Sequence, residues 1–527
     1  MLRFAMSAML LLSAVAAAAQ DAEVPSLGAT VEIEITNLDV VVTRRDGTHV
    51  TGLTKDDFVV LQDGKPQPVT HFAEYALGAK AGDEESRQPR SLLFFIEIIR
   101  LPDFRVEPFI DSLKTLTRTL IEHEGDRAAI VTFSDKAEMR IAPTNDVAAV
   151  EQALDNIAQE FLGVQHNELG AVAGNMNQLR EFESIGAEEA ATRAVARPST
   201  SVRSMTASAS SLSVIQAESR MKRRIAAATA AVHALAGVEG KKVLILATHR
   251  MGQLIGAEYV LVTGGSGNAV DNRQAVARLI ANANAAGVTV YPVYPAGLDA
   301  TPSDPGTPDI GPQILVNEMA SLETIAENTG GLTTYGTRNV AELMPRVAAD
   351  VANYYSLAYR STDDEAHELE VRTKDRDLNV RARRQVIERT DAGRMRDRLL
   401  AALYEALIYS PIPVSASRGE PKKSGDTLSL PLTISVPIRD LTLLPGDGIH
   451  AGAFTVYLMS GASYGEASDT IEETRRIEIP SEKLESYQRG PLKYEVNLVV
   501  DPDAEVVAIG ILDEVSKSYG VTTVELK

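Results

Sequence analysis

The chain has 527 residues, 44% of them hydrophobic, and its 72 acidic and 52 basic side chains give a formal net charge of −20. This length suffices for about three or four domains, each with a core of its own. The acidic balance argues against nucleic-acid binding by counterion release, since no basic patch is large enough to offset it. The absence of cysteine excludes thiol catalysis, disulfides, iron–sulfur clusters and cysteine-ligated zinc.

The first twenty residues have the composition of a cleavable export signal. Arg3 is followed by an apolar run and then by small residues that end at Ala17-Ala18-Ala19. The run of about 15 apolar residues is shorter than the ~20 that cross a bilayer. We therefore expect residues 1–20 to be a signal peptide and the protein to be exported, either periplasmic or extracellular. No integral membrane segment is expected after cleavage.

Residues 28–77 have the pattern of a small N-terminal β module. Hydrophobic and acidic residues alternate from Val31 to Ile35, which is the period of a half-buried strand. Asp46-Gly47 and Asp63-Gly64 each lie between β-branched runs and predict hairpin turns. The polar stretch 78–90 predicts a linker to the next domain.

Residues 91–355 alternate between strand and helix patterns. Continuous apolar runs at 91–99 and 241–248 are typical of strands covered on both faces, and residues 127–133 and 138–143 predict two further strands. The repetition predicts an α/β fold with a doubly wound, Rossmann-like parallel sheet and helices on both faces. The first helix is indicated by apolar residues at helical spacing: Phe109, Leu113, Leu116 and Leu120.

One interval, residues 163–213, interrupts this alternation. It is rich in Ser, Thr and Ala and has little periodicity, which predicts a mobile or partly helical insertion. A helix is predicted at 221–237, with a cluster of Lys and Arg residues at its start. The cluster could form a patch for an anionic partner, but we favour a solvated helix face.

The remaining chain returns to β periodicity. Residues 356–388 contain strands that we expect to complete the N-terminal module, so that the α/β domain is inserted into it. An amphipathic linker helix is predicted at 392–410. Six or seven short strands between turn residues then predict an antiparallel β-sandwich at 411–527. The predicted architecture is thus a doubly wound domain with flanking β-sandwich modules.

Several blocks in a fixed order cover most of residues 30–390: DGTHVTGLTKDDFVVLQDGKPQPVTHF (46–72), SLLFFIEII to RAAIVTFSDKAEMRIAPT (91–144), AAATAAVHALAGVEGKKVLILAT (226–248), AENTGGLTTY (326–335), VAADVANYYSLAYRS (347–361) and LNVRARRQ (378–385). Through these blocks the chain resembles the exported von Willebrand factor A-related proteins of the Acidobacterial type. The resemblance implies an α/β domain whose ligand site lies at the carboxyl edge of the sheet, where the parallel strands end.

The resemblance also implies where a metal would bind. Family members that keep the metal hold Mg²⁺ with an Asp-x-Ser-x-Ser loop after the first strand, a distal Thr and an Asp after the fourth strand. Here Glu97, Ile99 and Leu101 stand at the positions of the first loop, and Thr248-His249-Arg250 replaces a Thr-Asp-Gly pattern. Ile and Leu have no oxygen to donate. We therefore expect a degenerate site that binds no metal and no cofactor.

The same positions suggest candidate functional residues: Glu97, Arg100, Asp103, His249 and Arg250. In one hypothesis Arg100 and Arg250 replace the metal and pair with a carboxylate of a protein partner. In another, Glu97 and His249 form the acid–base pair of an envelope hydrolase. In a third, Glu97 forms a purely structural ion pair with an arginine.

Among these hypotheses we favour a non-enzymatic role. No Ser or Cys in a nucleophile setting accompanies Glu97 and His249. We expect protein–protein interaction, by adhesion or assembly, at the bacterial cell envelope. The protein partner is not identified by the sequence, and no nucleic-acid partner is expected.

Overall fold

In the computed structural model the chain folds as two compact units, Ile35–Arg389 and Thr390–Lys527. No helix in the described part of the chain is long and apolar enough to cross a membrane. The predicted signal peptide lies outside the described residues, as do the predicted site residues Arg100, His249 and Arg250. The structure describes residues 35–76, 88–99, 101–134, 136–163, 200–236, 238, 240–248, 251–257, 269–295, 311–333, 340–360, 366–387, 390–404, 410–424, 427–446, 448–461 and 467–526.

The larger unit, residues 35–389, is a mixed α/β structure with several sheets. Its strands are β1 (Ile35–Thr43), β2 (Phe58–Gln62), β3 (Lys65–Gln67), β4 (His71–Tyr75), β5 (Arg90–Glu97), β6 (Arg127–Phe133), β7 (Ala137–Thr144), β8 (Lys241–Ala247), β9 (Leu254–Ile255), β10 (Val270–Asp271), β11 (Val288–Val293), β12 (Tyr354–Arg360), β13 (Ala366–Thr373), β14 (Asn379–Arg381) and β15 (Gln385–Ile387). Its helices are α1 (Asp103–Leu120), α2 (Val147–Gly163), α3 (Thr200–Leu235), α4 (Arg273–Ala286), α5 (Gly311–Thr329) and α6 (Val340–Ala352), with one turn of 3-10 helix at Lys55–Asp57.

The central sheet of this unit has five strands in the order β11-β8-β5-β6-β7. The first four of these are parallel, and every residue of β5 and β11 is buried. The prediction of an all-parallel sheet is wrong for β7, which runs antiparallel to β6. The physical reason is the short connection: only residues 134–136 join β6 to β7, whereas a parallel pair needs a crossover of about a dozen residues.

Helices of this unit pack in two groups around the sheet. Helix α1 contacts α2 and α6, whereas α4 contacts α3 and α5. The predicted apolar face of α1 is confirmed, because Phe109, Leu113, Leu116 and Leu120 are all buried. The Phe109 ring meets the Phe161 ring of α2 edge to face, with centroids 6.0 Å apart.

Helix α3 begins much earlier than predicted. It starts at Thr200 and has 36 residues, so the last part of the predicted insertion at 163–213 is helical. The remaining insertion, residues 164–199, lies outside the described residues. A helical last part agrees with the prediction of a partly helical insertion, and only the predicted helix start at 221 is wrong, because Ser and Thr only weakly disfavour helix. No Gly or Pro occurs between Pro198 and Gly237 to end it.

The strands that precede β5 in the sequence (β1 to β4) and those that follow α6 (β12 to β15) form two further sheets together; the chain between them, from β5 to α6, is called the α/β segment. The orders are β14-β1-β12-β4 and β15-β13-β2-β3, and both sheets contribute to one core that includes Leu38, Phe58 and Leu357. The predicted hairpin turn at Asp63-Gly64 is confirmed, since it joins β2 to β3 with both residues at positive φ. Antiparallel pairing therefore brings β1 and β12 together although the α/β segment separates them in sequence.

Two groups of buried charges connect these sheets to the α/β segment. Lys241, the first residue of β8, is almost completely buried and its Nζ lies 2.8 Å from Asp39 Oδ2 in β1. The same ammonium lies 4.7 Å from the centre of the Tyr354 ring. The start of β8 is thus bound to the paired strands β1 and β12.

Asp350 of α6 is the centre of the second group. Arg381 Nη1 and Nη2 each donate a hydrogen bond of 2.7 Å to its carboxylate, and His49 Nε2 lies 2.8 Å from Oδ1. Burial raises the pKa of Asp350, but the bonds from His49 and Arg381 lower it more, so that the pKa lies below the ordinary value of 3.8. These contacts therefore stabilise the fold at pH values at which the Asp350 carboxylate is ionised.

The carboxy-terminal unit contains two antiparallel sheets that share one core. The core includes Leu432 and Ile434 from one sheet and Val456 and Ile509 from the other. Its strands are β16 (Ser415–Arg418), β17 (Lys422–Ser424), β18 (Thr427–Pro437), β19 (Leu444–Pro445), β20 (Ile449–Gly461), β21 (Ile471–Pro480), β22 (Pro491–Val500), β23 (Val506–Asp513) and β24 (Tyr519–Glu525), and its helical segments are α7 (Asp391–Tyr404), α8 (Leu484–Gln488) and the 3-10 turns Ile438–Asp440 and Ser481–Lys483.

The predicted linker helix at 392–410 corresponds to α7, which packs into this carboxy-terminal unit. Met395 and Leu399 are fully buried and share a core cluster with Tyr457 and Ala508. The Arg398 guanidinium stacks on the Tyr519 ring, 3.6 Å from its centre. Residues 405–409 of the predicted helix lie outside the described residues.

We predict that Asp350→Asn destabilises the larger unit in a pH-dependent manner. At neutral pH the change leaves Arg381 without its counter-charge, at a cost of about 3 kcal/mol in the free energy of unfolding. Because the pKa of Asp350 is lowered in the folded state, the wild-type stabilisation is present above pH 3.8 and disappears as the pH falls through the folded pKa. Urea unfolding followed by far-UV circular dichroism at several pH values measures the difference.

The matched control is Asp377→Asn, which removes an ion pair with Arg45 in which both side chains are exposed. We expect a small effect from this control at every pH. An Asp350→Asn variant that unfolds like the control at pH 7, or whose deficit does not begin to shrink as the pH falls below 3.8, would contradict the assignment.

Candidate functional site

The candidate site lies at the carboxyl edge of the five-stranded sheet. β5 ends at Glu97, and β8 ends at Ala247 and is followed by Thr248. Because β5 and β8 are parallel neighbours in which Ile96 pairs with Ala247, Glu97 and Thr248 leave the sheet side by side.

Glu97 is buried at this edge and its carboxylate is bonded on both oxygens. Its residue exposure is 3%. Thr248 Oγ1 donates to Oε2 over 2.7 Å. Arg224 Nε donates to Oε1 over 2.7 Å, and Arg224 Nη2 lies 2.5 Å from the same oxygen. The arginine side chain is itself only 4% exposed. The three side chains form a buried ion pair with a neutral hydrogen-bond donor.

Arg224 reaches this position because α3 packs closely against the sheet. The helix contacts β5, β6 and β8, and four alanines within two turns after Arg224 have no exposed surface. Small side chains allow the helix axis to approach the strands, and Ala228 lies on the same helix face as Arg224. The four buried alanines are Ala227, Ala228, Ala230 and Ala231.

The prediction that the Lys and Arg cluster at the start of the helix predicted at 221–237 is solvated is wrong for Arg224, which is buried within the longer helix α3. It describes Lys222, which is 74% exposed. The alanine run that follows does not separate them, because an alanine stands four residues after Lys222 as well as after Arg224. The third hypothesis, a structural ion pair of Glu97 with an arginine, agrees with this geometry.

The loop after β5 is packed by apolar side chains. Ile99 and Leu101, which stand at the two serine positions of the resemblance, are both buried. Asp103, the first residue of α1, is exposed. The structure thus places two of the five predicted site residues, one inside the fold and one on its surface.

The described residues at this edge do not fit a divalent cation. Mg²⁺ requires near-octahedral oxygen ligands, usually one or two carboxylates and several waters. Both Glu97 oxygens accept hydrogen bonds from Arg224 and Thr248, and a guanidinium beside the carboxylate repels a cation. Within the described residues, no group of three or more His, Asp or Glu side chains is arranged to hold a metal.

Comparison with known proteins identifies no family. No protein-family model matches the chain, and no curated protein matches it. Solved structures with a detectable likeness include a von Willebrand factor type A protein from Catenulispora acidiphila, which is 11% identical over 61% of this chain and 74% of its own, with a TM-score of 0.26.

Two other solved structures have TM-scores in the same range. An aerotolerance-related membrane protein from Bacteroides fragilis NCTC 9343 is 12% identical over 50% of this chain and 98% of its own, with a TM-score of 0.23. The pilus adhesin SpaC from Lactobacillus rhamnosus GG is 8% identical over 89% of this chain and 60% of its own, with a TM-score of 0.25. TM-scores this low do not establish a fold or a function for the present chain.

We predict that Arg224→Ala destabilises the larger unit by about 3–5 kcal/mol, because it leaves the Glu97 carboxylate buried without a counter-charge. The double variant Glu97→Gln/Arg224→Met should recover a large part of this loss, since no charge then remains to be buried. Urea unfolding followed by far-UV circular dichroism measures both.

Lys222→Ala is the matched control, two residues away on the same helix and exposed. It should change the free energy of unfolding very little. If Arg224→Ala were as mild as Lys222→Ala, or if the double variant were less stable than Arg224→Ala, the buried pair would not exist in solution.

Proposed function

We propose that this protein is a non-enzymatic binding protein of the bacterial cell envelope that acts in adhesion or assembly. In this proposal residues 91–355 form a doubly wound von Willebrand A-like domain, inserted into a β module made of residues 28–77 and 356–388 and followed by a sandwich at 411–527. The sequence resemblance supports this assignment, as do the two groups of helices and the pairing of β1 with β12. Export rests on the sequence of residues 1–20.

The observation that carries the proposal is the buried pair of Glu97 and Arg224. At the edge where the resemblance implies a cation, an internal guanidinium already neutralises the carboxylate. A partner can then bind without any metal. This arrangement removes Glu97 from the set of partner-contacting residues, because its oxygens are occupied inside the fold.

The remaining predicted residues are proposed to contact the partner directly. Arg100 follows the end of β5, and His249 and Arg250 follow Thr248 in sequence. Their positive charge suits a carboxylate of the partner, which arginine binds with two parallel hydrogen bonds. Asp103 adds an exposed carboxylate at the start of α1, which would discriminate against acidic groups placed elsewhere on the partner.

The alternative of an envelope hydrolase is not favoured by the geometry. A general base must reach the proton it abstracts. Glu97 is buried, and both its oxygens already accept hydrogen bonds from Arg224 or Thr248. Freeing it for catalysis would break the ion pair that stabilises it.

Chemical cross-linking of the full chain to a native envelope fraction, with and without EDTA, tests the proposed function. We expect one or more specific proteins to be captured equally in both buffers. The double variant Arg100→Glu/Arg250→Glu should reduce capture by about tenfold or more, because it places like charges against the partner carboxylate. Quantitative mass spectrometry of the captured proteins measures the change.

Arg439→Glu is the control for charge reversal, since Arg439 is exposed in the other unit. It should leave capture unchanged. Capture that EDTA abolishes, or capture that the double variant and the control reduce alike, would overturn the proposal.

A further inference from the structure

The strand β22 of the carboxy-terminal unit has one free edge. Within the described residues it pairs with β18 alone, along its whole length from Pro491 to Val500 and without a bulge. The other side of β18 is occupied by β16 and β17. A long and regular strand edge of this kind is one that proteins usually shorten, bend or cover, because it can pair with another chain.

The backbone groups at the free edge are identified by Pro431 in the middle of β18. Its carbonyl oxygen accepts a hydrogen bond from Gly419 N, in the turn between β16 and β17. Backbone groups alternate between the two sides of a strand, so Leu432 points the other way and bonds its partner Val496. Even-numbered residues of β22 therefore bond β18, and odd-numbered residues point outward. Within the described residues the backbone groups of these outward residues have no hydrogen-bond partner: Lys493, Glu495, Asn497 and Val499.

The two faces of β22 differ in character. The outward residues named above have exposed side chains. The alternate residues Leu492, Tyr494 and Val496 are only partly buried and pack against the core of the sandwich. A strand added at this edge would therefore extend the hydrogen-bond ladder and also cover an apolar row.

The edge of the second sheet, at β21, is less suited to an added strand. Glu473 and Arg475 lie on the side of β21 that faces the sandwich: the Tyr494 hydroxyl hydrogen-bonds Glu473, and the Arg475 guanidinium lies 5.4 Å from the centre of the Tyr494 ring. Glu472 and Arg476 are exposed on its other face. Covering β21 would take charges out of water, whereas covering β22 buries apolar side chains.

The charges at the free edge of β22 match a second copy of the same strand. Lys493 and Glu495 have opposite charges and lie on the same face, two residues apart. In antiparallel self-pairing centred on Tyr494, Lys493 of each copy faces Glu495 of the other. The same register places Leu492 of each copy opposite Val496 of the other. Opposite charges that face each other across two strands stabilise a sheet.

The neighbouring registers lack this complementarity. Self-pairing centred on Lys493 places two lysines opposite each other, and self-pairing centred on Glu495 places two glutamates opposite each other. Like charges directly opposite are destabilising. Centring on Val496 removes the repulsion, but it faces Lys493 with Val499 and Glu495 with Asn497. The register centred on Tyr494 is the one of these four in which opposite charges face.

We propose that β22 pairs with β22 of a second copy of the chain, antiparallel and centred on Tyr494, so that two carboxy-terminal units form one continuous sheet. The contact is symmetric and uses the free edge of both copies, so it closes at a dimer and does not grow into a fibre. It uses a different surface from the carboxyl edge of the α/β segment and does not depend on partner binding there.

Sedimentation velocity of the full chain over a series of concentrations tests the proposal. We expect a monomer–dimer equilibrium. Lys493→Glu and Glu495→Lys each place like charges opposite and should raise the dimer dissociation constant by about tenfold or more. The double variant Lys493→Glu/Glu495→Lys should restore the wild-type constant, because it exchanges the signs and keeps opposite charges facing. Arg476→Glu, a charge reversal on β21, is the control and should leave the constant unchanged.

The register is tested by disulfide formation, for which the chain offers a clean background because it has no cysteine. Only residue 494 faces its own copy in the proposed register, at the Cα separation of about 4.5 Å that a non-hydrogen-bonded pair has. Tyr494→Cys should therefore form a disulfide-linked dimer under mild oxidation. Val496→Cys, two residues along the same face, should not.

Far-UV circular dichroism verifies that every variant folds. A wild-type chain that stays monomeric throughout the concentration series would overturn the proposal. So would a double variant that remains as weak a dimer as the single variants, or a Val496→Cys variant that cross-links as readily as Tyr494→Cys.

Discussion

The carboxylate of Glu97 is buried at the carboxyl end of β5, and the organisation of this edge depends on its being neutralised within the fold. Removing a charge from water costs several kcal/mol unless a partner compensates it. Arg224 provides the opposite charge and Thr248 a further hydrogen bond. With the adjoining loop packed by Ile99 and Leu101, the edge holds an internal ion pair that needs no metal to neutralise the carboxylate.

The strand β8 connects this edge to the rest of the larger unit. At its first residue, Lys241 pairs with Asp39 of β1, and directly after its last residue Thr248 bonds Glu97. Polar contacts therefore hold both ends of β8, one to β1 and the other to the end of β5. Asp350, held by Arg381 and His49, adds a second connection between α6 and the flanking strands.

Local patterns in the sequence predicted most elements, but they predicted neither the direction of β7 nor the ion-pair partner of Glu97. The buried faces of β5 and α1 follow from apolar periodicity, and the β2–β3 hairpin follows from Asp63-Gly64. The direction of β7 was missed because an apolar pattern predicts a strand but not its direction. The direction follows instead from the short connection between β6 and β7. Arg224 was missed because 127 residues separate it from Glu97, and a cluster of charged residues on a helix ordinarily faces water.

Titrating the purified full chain with Mg²⁺ and Mn²⁺ in an isothermal calorimeter shows whether an internal arginine takes the place of a cation at the carboxyl edge. We expect no saturable heat of binding, since Glu97 already accepts hydrogen bonds from Arg224 and Thr248. Saturable binding of either ion that Glu97→Gln or His249→Ala weakens would contradict it.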